Sequence, residues 1–198
     1  MVIFEGKAKE PVYLWIDDEK VELRPAAHIW GRDSYQTQEI IRGETNEKAK
    51  VACIGPAGEK LVLFACIIND EGRAAGRGGV GAVMGSKNLK AVAVRGTKKV
   101  ALADEKRLND VVRQAWSEVP KPGMLTTYGT AGALAYTNEA GILPTRNWQT
   151  GVFEGASKID AEAVNKMLVR RSACYRCPVG CGRVTKVTDP AFAGEGAG

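Results

Sequence analysis

Through the first hundred positions apolar residues come in short runs, often alternating with polar ones, and Gly, Pro, Asn and Asp separate the runs. That is the pattern of short strands joined by tight turns. Residues 11–17 and 20–24 read as a hairpin that turns across Asp17, Asp18 and Glu19. Residues 50–54, 60–68 and 89–95 read as further strands, and 34–41 as a short helix. From Leu102 the spacing changes to the helical three and four: residues 103–118 form one such stretch, stopped by Pro120 and Pro122, and 125–138 and 160–170 form two more. The expected fold class is α+β, with a β-rich N-terminal domain over 1–100 followed by the beginning of an all-α domain over 101–198. The small-residue ending 191–198 reads as the middle of a loop, so the chain is expected to be a fragment.

Composition narrows the classes. With 198 residues, 44% hydrophobic and 26% charged, the chain has material for one large or two small globular domains. The net charge of +5 is not gathered into a basic arm, and no nucleic-acid partner is expected. Arg73, Arg77, Lys87, Lys90, Arg95, Lys98 and Lys99 nevertheless concentrate in one segment, which suits the phosphate groups of a ligand. No apolar run approaches the ~20 residues that span a bilayer, and the N-terminus lacks a signal-peptide pattern. The reading is of a cytoplasmic chain without a membrane partner. Its five cysteines are then better read as thiols or metal ligands than as disulfides. Cys53 and Cys66 fall inside apolar runs and read as buried small hydrophobes. His28, the one histidine, reads as a structural residue near a helix start.

Two segments carry chemistry. Gly72-Arg-Ala-Ala-Gly-Arg-Gly-Gly-Val-Gly-Ala-Val-Met-Gly85 contains G-x-G-x-x-G at Gly76, Gly78 and Gly81. A dinucleotide fingerprint needs its first glycine directly after a strand, a full crossover helix and a later acidic residue, and this context is missing. Glycines also let backbone N–H groups approach an anion, and Arg73 and Arg77 offer planar forks for phosphate oxygens. The bland alternative is a tight glycine turn between sheets with both arginines solvated. The second segment is Cys174-Tyr-Arg-Cys177-Pro-Val-Gly-Cys181, three thiols spaced C-x2-C-x3-C. Three thiolates are one short of a tetrahedral zinc site or a four-iron cluster. On thiol chemistry alone iron-sulfur, zinc and unligated thiols all stand, with Pro178 after Cys177 a weak pointer to the first.

The glycine-arginine segment, continued through Ser86-Lys-Asn-Leu-Lys90 and paired with the cysteine spacing about a hundred residues later, resembles the aldehyde:ferredoxin oxidoreductase family of tungsten-pterin enzymes. Tyr128-Gly-Thr-Ala-Gly-Ala-Leu-Ala-Tyr-Thr-Asn138 and Leu143-Pro-Thr-Arg-Asn-Trp148 resemble it too, so the likeness covers essentially the whole chain. The resemblance implies that the β-rich domain binds a tungsten-bis-pterin cofactor (tungstopterin) touched by Arg73, Ala74, Gly76 and Arg77. It implies that Cys174, Cys177 and Cys181 supply three of four ligands to a [4Fe–4S] cluster. It further implies oxidation of a small-molecule aldehyde to a carboxylic acid, with ferredoxin as electron acceptor. Against the family pattern the chain begins inside the first domain and stops before the second pterin-binding stretch, the fourth cluster cysteine and the substrate-handling acid and histidine, so no catalytic residue is named and the fragment is expected to be inactive alone. The choice of aldehyde, tungsten against molybdenum, and a homodimeric parent stay open.

Three other readings compete. The tungsten subunit of benzoyl-coenzyme A reductase is similar in the same domains and would reduce an aromatic ring. A zinc-stabilised or iron-sulfur electron-transfer module would be no enzyme at all. A dinucleotide-dependent reductase would use the glycine segment for NAD(P)H.

Overall fold

The chain forms two compact units, Met1–Ala101 and Leu102–Gly198. The structure, a computed structural model, describes residues 2–70, 72–119, 123–192 and 194–197, the last four by their backbone.

In the first unit, β1 (Val12–Asp17) and β2 (Lys20–Pro25) make the expected hairpin, turned by Asp18 at φ 52°. There follow α1 (Ser34–Glu44), β3 (Lys50–Cys53), α2 (Pro56–Glu59), β4 (Ile67–Asn69), β5 (Arg73–Ala75), α3 (Val80–Ser86) and β6 (Leu89–Arg95). Helix α1 starts where the Asp33 carboxylate accepts the Gln36 N–H at 2.8 Å, a side-chain cap on an otherwise orphaned donor. The six strands form one sheet in the order β2-β1-β6-β3-β4-β5, with β1 and β6 parallel and the other pairs antiparallel.

Register explains the core. Tyr13 lies opposite Ala91 and Ala91 opposite Cys53; Trp15 lies opposite Ala93 and Ala93 opposite Val51. The alanines of the central strand leave room for the two rings, and these rows join Ile29 and Ile41 in one buried cluster. A second cluster holds Ile54, Met84 and Leu89.

The strand expected over 60–68 is not there as such. Val62 N–H bonds back to Ala57 O, Leu61 adopts φ 59°, and the chain turns until Ile67 enters the sheet. Leu63 and Phe64 are exposed. The run is uniformly apolar without alternation, a pattern that period alone cannot assign.

The second unit carries α4 (Glu105–Glu118), α5 (Met124–Tyr128), a 3-10 turn Gly129–Gly132, α6 (Ala133–Glu139) and α7 (Ala161–Lys166). The helix expected over 125–138 breaks at Gly129, whose φ of 66° interrupts a right-handed helix. The helix expected over 160–170 ends at Lys166, and Leu168–Ser172 is a strand, β7, paired antiparallel to β8 (Gly182–Val187). The terminal loop reading also changes, because β9 (Gly194–Ala197) pairs with β8. The α+β class stands, with a three-stranded sheet added beside the helices. Pro120 and Pro122, read as a helix stop, lie outside the described residues. None of the described helices is long and apolar enough to cross a membrane.

One interaction fastens the first unit. Val12 pairs with Leu89 but Tyr13 with Ala91, which leaves Lys90 as the extra residue of a β-bulge. Its side chain is fully buried; Nζ donates to Glu59 Oε1 at 2.5 Å and to Arg32 O at 2.9 Å. The Glu59 carboxylate, 5% exposed, also accepts the Gly31 N–H at 2.8 Å. Removing one member of such a pair strands a charge in the interior. Glu59→Gln is expected to lower the unfolding free energy by roughly 3–5 kcal/mol in urea denaturation. The double variant Lys90→Met with Glu59→Leu should recover most of that. A loss of about 1 kcal/mol or less, the worth of an exposed pair, would contradict this role.

Candidate functional site

The glycine-arginine segment begins as a sheet edge. Among the described residues, strand β5 pairs with β4 alone, Ile68 opposite Ala74 and Asn69 opposite Arg73, and it is the last strand of the sheet. Arg73, Ala74 and Ala75 are exposed, as are Gly76 and Arg77. Two alanines and a glycine in succession carry little side-chain bulk and leave the backbone close to the surface. Arg77, Gly78 and Gly79 then take φ of 60°, 66° and 73°, three consecutive residues in the left-handed region. Arg77 bears a cost of about 1–2 kcal/mol for this conformation. It lies in a turn, and Arg73 in a strand, so the two guanidiniums are presented by one continuous surface segment.

The later glycines have a packing reason. A Cβ at Gly81 would stand 2.7 Å from Cys66 O, one at Gly79 2.9 Å from Leu63 O, and one at Gly85 2.0 Å from Gly58 O. Helix α3 therefore lies directly on the backbone of residues 58–66, and Gly81 N–H bonds to Ala65 O at 3.0 Å. This contact fixes where the Arg77–Gly79 turn ends. The topology also removes the dinucleotide reading. β6 and β4 both run antiparallel to β3, and β5 runs antiparallel to β4, so β5 and β6 are antiparallel and α3 is no parallel crossover.

In the second unit the three cysteines occupy the connection 173–181 between β7 and β8. Cys177 N–H bonds to Cys174 O at 2.9 Å, Arg176 takes φ 53° and Gly180 φ 57°, so the connection is wound into turns. Cys174 is exposed, Cys177 and Cys181 are half-buried, and none of the three is in a disulfide. Among the described residues no three His, Cys, Asp or Glu side chains are gathered closely enough to hold a metal ion. The structure thus brings three thiol donors onto one short connection without converging them.

Sequence reasoning missed the residue that organises this connection. Arg183, 4% exposed, donates from one terminal nitrogen to Gly180 O at 2.9 Å and Gly182 O at 3.0 Å, and from the other to Thr126 O at 3.3 Å. It therefore clasps the carbonyls on both sides of Cys181. Gly129 packs against the same place, since a Cβ there would stand 2.4 Å from Cys181 O and 3.2 Å from the guanidinium carbon. One signal was legible: between Lys166 and Thr188 the basic residues Lys166, Arg170, Arg171, Arg176, Arg183 and Lys186 occur with no acidic residue.

The other cysteines and the histidine lie elsewhere. Cys53 is fully buried in the main core cluster, whereas Cys66 is only half-buried, short of the expectation for it. His28 Nε2 lies 2.7 Å from Glu44 Oε1, beside the end of α1.

Comparison with known proteins finds two family models in succession: aldehyde ferredoxin oxidoreductase, N-terminal domain, over residues 1–96, and aldehyde ferredoxin oxidoreductase, domains 2 & 3, over 107–198. The tungsten-containing aldehyde ferredoxin oxidoreductase of Pyrococcus furiosus is 51% identical over 94% of this chain and 32% of its own length. That of Thermococcus kodakarensis is 49% identical with the same coverage. Among solved structures, the active site complex BamBC of benzoyl coenzyme A reductase with 1,5-dienoyl-CoA aligns at a TM-score of 0.73 and 32% identity, over 98% of this chain and 32% of that one. The chain thus spans about a third of the length of the relatives it matches.

The thiols separate by environment. Burial pushes the Cys53 thiol from 9.0 up to about 11. It is neutral in folded and unfolded chains below pH 9; between pH 9 and about 11 only the unfolded chain ionises, so this contribution to stability is lost as pH rises through that window. Iodoacetamide at pH 8 is expected to modify Cys174 rapidly and Cys53 only after unfolding, as read by peptide mass spectrometry. Equal rates at the two positions would contradict the assignment.

Proposed function

The chain belongs to the aldehyde ferredoxin oxidoreductase family, and we propose that it is the pterin-contacting and cluster-carrying portion of an oxidoreductase that converts an aldehyde and water to a carboxylic acid. Two electrons and two protons leave the substrate, and the electrons pass singly to ferredoxin. The observation that carries this reading is the exposed Arg73–Arg77 edge and turn combined, in one chain, with three cysteines outside any disulfide at C-x2-C-x3-C spacing.

Each residue has a specific task in this account. The guanidiniums of Arg73 and Arg77 bind the phosphate oxygens of the pterin cofactor through charged forks. Ala74 and Gly76 keep side-chain bulk away so that the cofactor rests against the backbone. Cys174, Cys177 and Cys181 hold three corners of a [4Fe–4S] cluster, and a fourth ligand comes from outside this connection. The spacing of the three cysteines and the buried Arg183 beside them, whose Nε–H has no partner, support this reading, although the described side chains are not gathered around a common metal position. When bound, tungstopterin supplies the two-electron acceptor and the cluster the one-electron exit.

Reduction of an aromatic ring, as named for the benzoyl coenzyme A reductase complex, is the second reading, favoured by its TM-score of 0.73. Identity of 51% to an aldehyde enzyme against 32% to that complex weighs for aldehyde oxidation.

The test is anaerobic isolation of the holoprotein with metal analysis and aldehyde-dependent dye reduction. Tungsten or molybdenum is expected together with about four iron atoms per chain. Arg73→Ala and Arg77→Ala should each weaken cofactor retention by roughly 10- to 100-fold, the worth of one charged hydrogen-bonded contact, while iron stays. Zinc in place of iron, or absence of both tungsten and molybdenum, would sink the proposal.

A further inference from the structure

The connection between β7 and β8 contains a close turn with a cysteine at each end. Cys177 N–H donates to Cys174 O at 2.9 Å and so closes the four residues Cys174, Tyr175, Arg176 and Cys177. Arg176, third in the turn, takes φ 53°, the left-handed backbone that several close turns require at that place. The first and fourth Cα atoms of such a turn lie within about 7 Å of each other, and a disulfide spans Cα separations of roughly 4.4–6.8 Å. The backbone thus brings Cys174 and Cys177 into bridging range, and the ordering that ring closure requires is already in place. Accessibility divides their roles, since Cys174 is exposed and Cys177 half-buried. The third cysteine of the connection is held differently. Arg183 clasps Gly180 O and Gly182 O on either side of Cys181. Gly129 closes on Cys181 O, where a Cβ would stand only 2.4 Å away. Gly182, the next residue, is already in β8 and paired with Ser172. Cys181 therefore cannot swing toward either of the others without breaking these contacts.

We propose that Cys174 and Cys177 are a thiol–disulfide pair, a modification site that a low-molecular-weight disulfide oxidises in the chain without metal, while Cys181 stays a thiol. The exposed Cys174 attacks one sulfur of the oxidant, RSSR. The S–S bond of RSSR breaks, one RSH leaves with the proton of Cys174, and a mixed disulfide remains on Cys174. The Cys177 sulfur then attacks the Cys174 sulfur, the bond from Cys174 to RS breaks, and a second RSH leaves with the proton of Cys177. The cysteine pair gives up two electrons and RSSR takes them, so one RSSR yields one protein disulfide and two RSH. A thiol reductant reverses both steps. The pairing rests on the turn and goes beyond the cluster reading. While it lasts neither sulfur can bind a metal, so oxidation and metal loading exclude each other.

The experiment takes the full chain, stripped of metal by a chelator, through incubation with excess oxidised glutathione, quenching with N-ethylmaleimide, tryptic digestion and mass spectrometry. Cleavage after Arg171, Arg176 and Arg183 leaves Cys174 in peptide 172–176 and Cys177 with Cys181 in peptide 177–183. The expected product is these two peptides joined, at their summed mass less two hydrogens, with the maleimide on Cys181. Cys181→Ser is expected to give the same joined pair. Cys177→Ser is expected to stop at the mixed disulfide, with glutathione retained on Cys174. Oxidation in urea should instead scatter the bridges, Cys174 to Cys181 and Cys177 to Cys181 included. An unmodified Cys174 in the folded wild type overturns the proposal, as does glutathione left on Cys174 there without closure. A link from Cys174 to Cys181 as abundant as that to Cys177 overturns it too, as does one mixture common to folded and unfolded chains, because the turn would then select nothing. Holoprotein without iron defeats the cluster reading alone, since the peptide link is read in chain that carries no metal.

Discussion

The ammonium of Lys90, without solvent and answered by a single carboxylate, is the constraint on which the first unit depends. A buried charge has one low-energy place to be, next to its partner, so the pair ties together whatever its two ends belong to. Those ends are β6, through the bulge, and α2, through Glu59; the Gly31 N–H and Arg32 O attach the preceding loop to the same knot. Helix α2 meets α3 with no side chain between them at Gly58 and Gly85. Helix α3 starts where the left-handed turn Arg77–Gly79 stops. The surface segment offered to a ligand is therefore set from behind, by contacts that reach back to an ion pair in the core.

The second unit holds together by other means. Among the described residues, the two buried clusters of apolar residues both belong to the first unit. In the second, α4 through α7 contain no fully buried residue, and Leu108, Val111, Val112 and Trp116 of α4 are exposed. Order around the cysteine connection comes from polar fastening: Arg171 and Arg183 both donate to Thr126 O, and Gly129 allows the backbone to close on Cys181 O. Side chain-to-carbonyl bonds of this kind position a connection more sharply than apolar contact, because they are directional.

What could be read from the sequence follows the range of the forces involved. The β1–β2 hairpin, β6 and α4 were legible because alternation, turn residues and capping are local. The run 60–68 misled because its apolar residues do not alternate, and because the close approach of Gly79 and Gly81 to it comes from residues a dozen or more positions away. Strand β7 was hidden for a similar reason: only pairing with 182–187 makes 168–172 a strand. The candidate site divides in the same manner. Arginine, glycine and cysteine spacing pointed to the two candidate segments. Nothing local marked Arg183 as buried or Glu59 as the partner of Lys90, since burial is a property of the finished fold.

The open edge at β5 has a consequence for the chain before any ligand arrives. A sheet edge exposed to solvent can also meet a strand from another molecule, and exposed edges are where sheets recruit one another. Here the edge is three residues long, begins with the charged Arg73, and runs into Arg77, Gly78 and Gly79, whose left-handed backbone cannot continue a ladder. The features that suit the segment to an anion thus also guard an unloaded chain against edge-to-edge aggregation, and a neutral residue at position 73 would weaken that protection.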